Sequence, residues 1–143
     1  MIFKDNVFSV RIGHVRLEAV SLISLIRDLR DKRLNRLPIL DDEDRPLYVI
    51  HRSMFERFIT DRLLWSGAGS NPESLTLAEF LGDETMKRTL ETSFVVVSQH
   101  ATLQEAKEKM NSARDCRDVF VTARGGRDEP ILGWLTNVRM GRA

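Results

Sequence analysis

The sequence predicts a mixed α+β fold built from two repeated strand-helix-strand-strand-helix units. The first observation behind this prediction is a weak internal repeat, in which residues of the first half recur in the second half at one constant spacing. The second observation is that each half contains two short apolar runs joined by turn-forming residues, a pattern typical of paired strands. The matched residues are Phe8, Val10, His14 and Leu17 in the first half and Phe94, Val96, His100 and Leu103 in the second.

The boundary between the two units is predicted at the stretch WSGAGSNPES, residues 65–74. Glycine, serine, asparagine and proline interrupt the apolar periodicity there, as expected of a linker. The sequence therefore predicts a first domain over residues 1–64, a linker over 65–74 and a second domain over 75–143.

Each unit is predicted to carry a helix after its first strand, because apolar residues recur there at steps of three and four. Thr102 and Glu105 have the spacing of a capping box, which satisfies free amides at a helix N-terminus. The stripes predicted to face the core are Leu22, Ile26, Leu29 and Arg33 in the first unit and Leu103, Ala106, Met110 and Ala113 in the second.

The strand pair of the first unit is predicted from RLPILD, the turn-rich DEDRP and LYVIH. The corresponding pair in the second unit is RDVFVT and ILGWLT, joined by ARGGRDEP. A helix is expected after each pair. These final helices are SMFERFITDRLLW, with Ser53 as its predicted N-cap, and the shorter NVRMGRA.

The composition limits the choice of partners. The 143-residue chain is 42% apolar, enough for one sizeable core or two small cores that share an interface. Its 22 basic residues nearly balance 21 acidic ones, so no overall charge draws it to nucleic acid or anionic lipid. A basic run from Arg27 to Arg36 is interrupted by Asp28 and Asp31 and is interpreted as a solvated helix face.

Since no apolar run approaches the roughly 20 residues of a membrane span and no secretory signal is seen, we expect a cytoplasmic protein without a membrane partner.

The sequence gives no motif for catalysis or metal binding. It has no glycine-rich phosphate loop, nucleophile elbow or paired cysteine motif, so we expect no enzymatic activity. Spacing alone leaves open a pair formed by Cys116 and one histidine; otherwise this single cysteine is interpreted as an inert thiol. The three histidines lack metal-ligand spacing, and the acidic residues 41–44 are interpreted as a solvent-facing turn.

The middle strands of the two units are RLPILD and RDVFVT, and their last strands are LYVIH and ILGWLT. Two units of this kind resemble a tandem pair of cystathionine β-synthase (CBS) domains, or Bateman module. The resemblance extends from about Val7 to the C-terminus and is most specific in SFVVVSQHATLQEAKEKM and DVFVTARGGRDEPILGWLTNV. It implies a standalone, bacterial-type module whose two domains pack sheet to sheet about a pseudo-twofold axis. It also implies a homodimer with a regulatory role.

The family's nucleotide signature is a glycine, two apolar residues, a threonine or serine, two variable residues and an aspartate. Glycine allows close approach, the hydroxyl and helix amides hold a phosphate, and the carboxylate accepts hydrogen bonds from ribose hydroxyls. Gly133, Trp134, Leu135 and Thr136 match its opening, but Arg139 takes the aspartate position. Because arginine only donates hydrogen bonds, it suits phosphate or another anion rather than a ribose.

The first unit departs further from this signature. Tyr48 takes the glycine position, His51 the threonine position and Met54 the aspartate position. Tyr48 is expected to fill the space that glycine leaves open, so an ordinary nucleotide is not expected in that cleft. The ligand-binding candidates implied by the resemblance are therefore Thr136, Asn137, Arg139 and Gly133 in the second half, with His51 and Arg52 as secondary candidates.

Two functions stay open. The first is a non-catalytic regulatory module that senses AMP, ADP, ATP, a related adenosyl ligand or another small anion between its domains, and transmits this to an unidentified partner. The second is a structural interaction or dimerisation module without a ligand, its cleft closed by Tyr48 and Trp134. Alternative roles are helix capping for Thr136 and Asn137, a solvated helix position for Arg139, and core, dimer interface or base stacking for Trp134.

Overall fold

Two β-sheets form the frame of the molecule. A computed structural model describes residues 1–65, 71–113 and 116–136. The first sheet has strand order β2-β3-β4, formed by Val10–Arg11, Arg36–Leu40 and Pro46–His51. The second has strand order β1-β7-β6-β5, formed by Ile2–Phe3, Ile131–Thr136, Asp118–Thr122 and Val95–Ser98. Each unit places its first strand parallel to its middle strand and its last strand antiparallel to it, which confirms the mixed α+β fold and the repeated strand arrangement. The predicted final helix of the second unit, NVRMGRA, lies outside the described residues.

The described part of the chain contains five α-helices. The short helices α3 (Leu77–Leu81) and α4 (Glu84–Leu90) were not predicted, because five and seven residues are too few to show an apolar stripe. Both begin at polar caps: Thr76 accepts a hydrogen bond from the amide of Glu79, and Asp83 accepts from Thr85 and Met86. The helices are α1 (Leu22–Asp31), α2 (Arg52–Trp65), α3 (Leu77–Leu81), α4 (Glu84–Leu90) and α5 (Leu103–Ser112).

The two predicted helical stripes are correct except at their ends. Helix α1 buries its three apolar stripe positions, but it ends at Asp31, and Arg33 lies beyond it in the left-handed region at φ 57°. Helix α5 buries Ala106 and Met110, whereas Leu103 in its first turn is 39% exposed. None of the described helices combines the length and apolar character that a bilayer crossing needs.

The core has three layers. One lies between the first sheet and helices α1 to α4, and it includes Leu77, Phe80 and Leu90. The segment after the predicted linker therefore packs on the first unit. A second layer lies between the second sheet and α5. The third lies between the two sheets and confirms their face-to-face packing; its buried residues are Leu40, Val49, Phe94, Val96, Phe120, Ile131 and Trp134.

The strand registers show which residues of the two units correspond. His51 stands opposite Arg36 in the first sheet, and Thr136 stands opposite Asp118 in the second. His51 is therefore equivalent to Thr136, as the sequence comparison predicted. The same registers make Arg36 the equivalent of Asp118, and both residues begin the middle strand of their unit.

The same registers correct one detail of the sequence repeat. Tyr48 is equivalent to Gly133, as predicted. Val10, however, is equivalent to Val97 rather than Val96, one residue further along the strand. The shift matters because alternate residues of a strand face opposite sides. Val10 and Val97 face their own helices, whereas Val96 faces the other sheet.

The N-terminal strand crosses from the first unit into the second sheet. Ile2 pairs with Trp134 and Phe3 pairs with Gly133, so β1 runs antiparallel to β7. The predicted first domain, residues 1–64, thus contributes one strand to the sheet of its neighbour. The domain boundaries themselves stay a prediction.

Candidate functional site

A cleft of about 370 Å³ lies between the two units. A volume of this size is at the lower end for small-molecule sites. Its walls come from β3, β4 and the start of α2 on one side, from β6 on the other, and from the end of α4 with its following turn. The lining residues are Arg36, Val49, His51, Met54, Thr89, Leu90, Thr92, Ser93, Arg117 and Asp118.

The histidine in this cleft also begins a helix. Helix α2 starts at Arg52, so Ser53 is not its N-cap as predicted. Instead, the ring nitrogen Nδ1 of His51 accepts a hydrogen bond from the amide of Ser53 at 3.1 Å. A backbone N–H can only donate, so Nδ1 carries no proton and the neutral ring is protonated at Nε2. Burial, followed by the nearby Arg36 and Arg52, lowers the pKa of His51, so its ring is neutral at neutral pH.

A buried carboxylate forms the opposite wall. Asp118 is only 3% exposed, and its Oδ1 accepts a hydrogen bond from the indole Nε1 of Trp134 at 3.1 Å. Its Oδ2 lies 3.3 Å from Nε of Arg36, which belongs to the first unit. Burial raises the pKa of Asp118 to about 6, against the opposing effects of Arg36, Trp134 and Arg117. The carboxylate is therefore mostly ionised at neutral pH and takes up a proton in mildly acidic solution.

The turn between α4 and β5 is fixed to the edge of the first sheet. The Ser93 hydroxyl accepts from the amide of Val49 at 3.0 Å and donates to the carbonyl of Leu90 at 2.7 Å. Because β4 is an edge strand, this contact satisfies an amide that has no strand partner. It also holds the hydroxyl-bearing rim of the cleft against the wall that carries His51.

The two secondary candidates behave differently. His51 lines the cleft, as described above. Arg52 does not line it: its amide donates to the carbonyl of Asn35 at 2.7 Å, and its Nε lies 3.2 Å from Oε1 of Glu56 along α2. His51 and Arg52 are neighbours in the sequence, but of the two only His51 lines the cleft.

Of the main candidates in the second half, Gly133 lies away from this cleft. Gly133 packs against the N-terminal strand, where an added Cβ would lie 2.4 Å from Sδ of Met1 and 2.9 Å from the carbonyl oxygen of Ile2. This glycine therefore makes room for backbone in the present structure. Thr136 ends β7 opposite Asp118. Asn137 and Arg139 lie outside the described residues, so their ligand-binding role stays a prediction.

Neither aromatic residue that was expected to close a cleft lines this one. Tyr48 is half-buried and packs against the core between the first sheet and its helices. Trp134 is buried between the sheets, and its ring centroid lies 6.4 Å from that of Phe120. Of the roles considered for Trp134, the structure gives it a core position and a hydrogen bond to Asp118.

Most of the residues that line the cleft were not among the predicted site residues. A signal for two of its residues was present: a charged residue begins each middle strand, Arg36 in RLPIL and Asp118 in DVFVT, with opposite signs. The basic residue was assigned instead to a solvated helix face. Three rim residues belong to α4 and the turn after it, a segment without a prediction; they are Thr89, Leu90 and Thr92. Ser93 begins the run SFVVVSQHATLQEAKEKM, from which no binding role was predicted for it.

The acidic turn is occupied by contacts within the protein. Asp41 accepts from the amides of Glu43 and Arg45 at 2.9 Å, and Asp44 pairs with Lys4 and Arg11. Across residues 1–65, 71–113 and 116–136, no three metal-ligating side chains come together in a group that could hold an ion. The thiol of the buried cysteine at position 116 donates to the carbonyl of residue 118, and burial raises its pKa.

Comparison with known proteins identifies the fold. The sequence matches no protein-family model and no curated protein. The crystal structure of CBSX2 in complex with AMP is 18% identical, with a TM-score of 0.59, and the match covers 99% of this chain and 90% of that one. The CBS domain pair of protein MJ0100, in complex with 5′-methylthioadenosine and S-adenosyl-L-methionine, is 13% identical, with a TM-score of 0.59 and coverage of 99% and 90%.

A CBS domain-containing protein of unknown function from Kribbella flavida gives a similar result. It is 20% identical, with a TM-score of 0.60, and the match covers 99% of this chain and 92% of that one. At these identities the likeness concerns the fold. The chain has the fold of a tandem CBS domain pair, as the resemblance predicted.

Proposed function

We propose that this CBS pair is a non-catalytic regulatory module that binds an adenosine-containing or related anionic ligand between its two units. The observation that carries the proposal is the cleft, which combines apolar side chains, hydroxyls and the two arginines Arg36 and Arg117. Apolar walls suit a flat base, hydroxyls suit a sugar, and guanidinium groups suit a phosphate or carboxylate. One ligand with all three features would use the whole cleft.

The similar structures support the adenosine part of this proposal. CBSX2 was crystallised with AMP, and the MJ0100 domain pair was crystallised with 5′-methylthioadenosine and S-adenosyl-L-methionine. Adenosine is the part that these ligands have in common. We therefore propose AMP, ADP, ATP or a related adenosyl compound as the first ligands to test.

The position of the cleft provides a route for regulation. A ligand there contacts both units, so it binds more tightly to one arrangement of the units than to another. We propose that this shift changes the surface offered to a regulated partner protein, and that the module acts as a homodimer in the cytoplasm.

Thermal unfolding with a panel of AMP, ADP, ATP, S-adenosylmethionine, dinucleotides and simple anions tests the proposal. A ligand at about 100 times its dissociation constant stabilises the native state by roughly 2.7 kcal/mol, which raises the melting temperature measurably. Thr89 lies exposed at the cleft rim, so Thr89→Trp should fill the cleft and abolish the shift. Thr85→Trp, one turn earlier on α4, is the matched control and should retain it.

The second-half candidates are tested in the same assay. If Thr136 and Arg139 bind the ligand, as the signature predicts, their alanine variants should lose the shift. Alanine variants that keep the shift, together with a Thr89→Trp variant that loses it, would assign binding to the residues of the described cleft. A wild-type melt that no compound moves at millimolar concentration would contradict the sensing proposal.

A second candidate function is protein-protein interaction without a ligand. It is favoured by the end of α2, where Leu64 and Trp65 are 72% and 86% exposed. Large exposed apolar side chains are common at protein interfaces. A ligand-insensitive melt, together with a dimer that dissociates in Trp65→Ser, would support this function over sensing.

A further inference from the structure

The described cleft contains a carboxylate that the nucleotide signature does not account for. In the first unit the aspartate position of the signature is taken by Met54, whose thioether is only a weak hydrogen-bond acceptor. Among the described residues that line the cleft, Asp118 is the one acid. It belongs to the second unit, at the first position of β6.

Asp118 has acceptor capacity to spare. An ionised carboxylate offers about four lone-pair positions. The indole of Trp134 uses one on Oδ1, and Arg36 approaches Oδ2 as an ion pair at 3.3 Å. As far as residues 1–65, 71–113 and 116–136 are concerned, positions on both oxygens are therefore left for further hydrogen-bond donors.

A purely structural role does not require a carboxylate at this place. Replacing a buried ion pair with apolar residues of similar volume is often neutral or stabilising, so such a pair is weak evidence of a stabilising role. The pair of Arg36 and Asp118 is instead positioned at the wall of a cleft that is open to ligand. A perturbed titratable group in such a position is typical of a functional site.

We propose that Asp118 is a ligand-binding residue of this cleft, whose carboxylate accepts hydrogen bonds from neighbouring hydroxyls or an amino group of the ligand. The adjacent Arg36 holds the anionic part of the same ligand. This inference rests on the proposed function and deepens it. The second unit supplies the acceptor for the cleft of the first, and the site selects ligands that carry both donors and negative charge.

The proposal has a consequence for pH dependence. Hydrogen bonds from a ligand favour the ionised carboxylate, so binding should weaken as Asp118 takes up its proton below about pH 6. Among the residues that the structure describes, the charged and titratable groups around it are Arg36 from β3, Arg117 just before β6, and His51 from β4, with the Trp134 indole from β7. Of these groups, His51 has a pKa that burial and the nearby arginines lower.

Isothermal titration calorimetry with AMP and 2′,3′-dideoxyadenosine monophosphate tests the assignment. The two compounds differ only in the two ribose hydroxyls. Hydrogen bonds to a charged acceptor predict that the wild type binds AMP about 10- to 100-fold more tightly. Asp118→Asn should bring this ratio close to one at pH 7. Asp44→Asn, which changes an ion-paired aspartate outside the cleft, is the control and should keep the wild-type ratio.

The wild-type protein provides a second measurement, in case Asp118→Asn folds poorly. Its preference for AMP should fall as the pH is lowered from 7.5 to 5, and a constant preference would overturn the inference. AMP binding with an unchanged ratio in Asp118→Asn would overturn it too, while leaving the proposed function intact. Failure of both compounds to bind the wild type at millimolar concentration would overturn this inference, whereas the proposed function is overturned only if no compound of the thermal unfolding panel binds.

Discussion

The two units carry opposite charges at equivalent positions. Arg36 and Asp118 each begin the middle strand of their unit. Where the units meet, Nε of Arg36 lies 3.3 Å from Oδ2 of Asp118. If the units were identical, two like charges would be buried together at this point, which is strongly unfavourable. The two units therefore share one backbone arrangement, while the equivalent residues at which they meet carry complementary charges. At this contact the ion pair joins one basic and one acidic side chain, one from each unit.

The largest effect is expected from restoring symmetry at this pair. In Arg36→Asp two carboxylates face each other, with the side chain of Asp118 only 5% exposed. Removing one partner of a buried pair costs about 3–5 kcal/mol, and a second negative charge adds repulsion to that cost. Urea unfolding at pH 7 should show a loss of stability, which proton uptake by Asp118, with its pKa of about 6, keeps from exceeding this range.

Exchanging the charges tests whether complementarity is the cause. The double variant Arg36→Asp with Asp118→Arg restores an ion pair in the reverse direction and should recover part of the lost stability. The coupling energy from the double-mutant cycle should be favourable. A double variant as unstable as the sum of its single changes would show that packing, not charge, decides this contact.

The next largest effect concerns pH. Asp118 has a folded-state pKa of about 6 against 3.8 for the free side chain, so the folded state binds this proton more tightly than the unfolded state. Its contribution to stability is complete below about pH 4 and is lost as the pH rises to about 6, by roughly 3 kcal/mol. The difference in unfolding free energy between wild type and Asp118→Asn should show this slope.

Subtracting the unfolding free energy of Asp118→Asn from that of the wild type removes the pH dependence that other carboxylates contribute. Burial acts to raise the pKa of Asp44, but hydrogen bonds from Arg11 and Lys4 outweigh it and hold the pKa below its usual value. That group gives stability above its unfolded pKa and loses it as pH falls, the opposite sign to Asp118. A difference curve that is flat between pH 4 and 6 would contradict the buried state assigned to Asp118.

A third comparison concerns the equivalent positions Tyr48 and Gly133. The tyrosine packs on the core of its own unit, whereas the glycine lets β1 approach β7. In Gly133→Ala the new Cβ would lie 2.9 Å from the carbonyl of Ile2, so the strand must move, at a cost of about 1–3 kcal/mol. Chemical denaturation should detect this loss. Removing residues 1–3 should abolish the difference between glycine and alanine at this position.

These comparisons also show which parts of the fold and of the cleft could be predicted from the sequence. The strand pairs and the equivalence of His51 with Thr136 were predictable, because apolar runs and their turns depend on neighbouring residues. The cleft was not, because its residues are distant in sequence and meet only after the sheets pack. The ion pair of Arg36 with Asp118 is an example, since each residue alone reads as an ordinary surface charge.

The predicted equivalence of Val10 with Val96 was wrong by one residue for a related reason. Apolar residues alone do not distinguish the two faces of a strand that is buried on both sides. Val95, Val96 and Val97 are all buried, so a shift of one residue leaves the apolar pattern intact. The strand pairing was needed to choose Val97 as the equivalent of Val10.

The smallest effect is expected at the equivalent helix starts of the two units. Thr102 accepts from the amide of Glu105 at 3.1 Å, whereas Ser21 accepts from the amide of Ser24 at 3.5 Å. The longer contact lies at the limit of a hydrogen bond. Thr102→Ala should therefore lower the unfolding free energy by about 1 kcal/mol and Ser21→Ala by only a few tenths.

Urea midpoints of these two variants measure the difference directly. Thr102→Ser keeps the accepting oxygen and should retain most of the wild-type stability, which separates loss of the cap from loss of the threonine methyl group. Equal losses in Thr102→Ala and Ser21→Ala would mean that the two caps contribute alike. The helices after the first strands would then be places where the repeat has stayed symmetric, in contrast to the charged pair between the units.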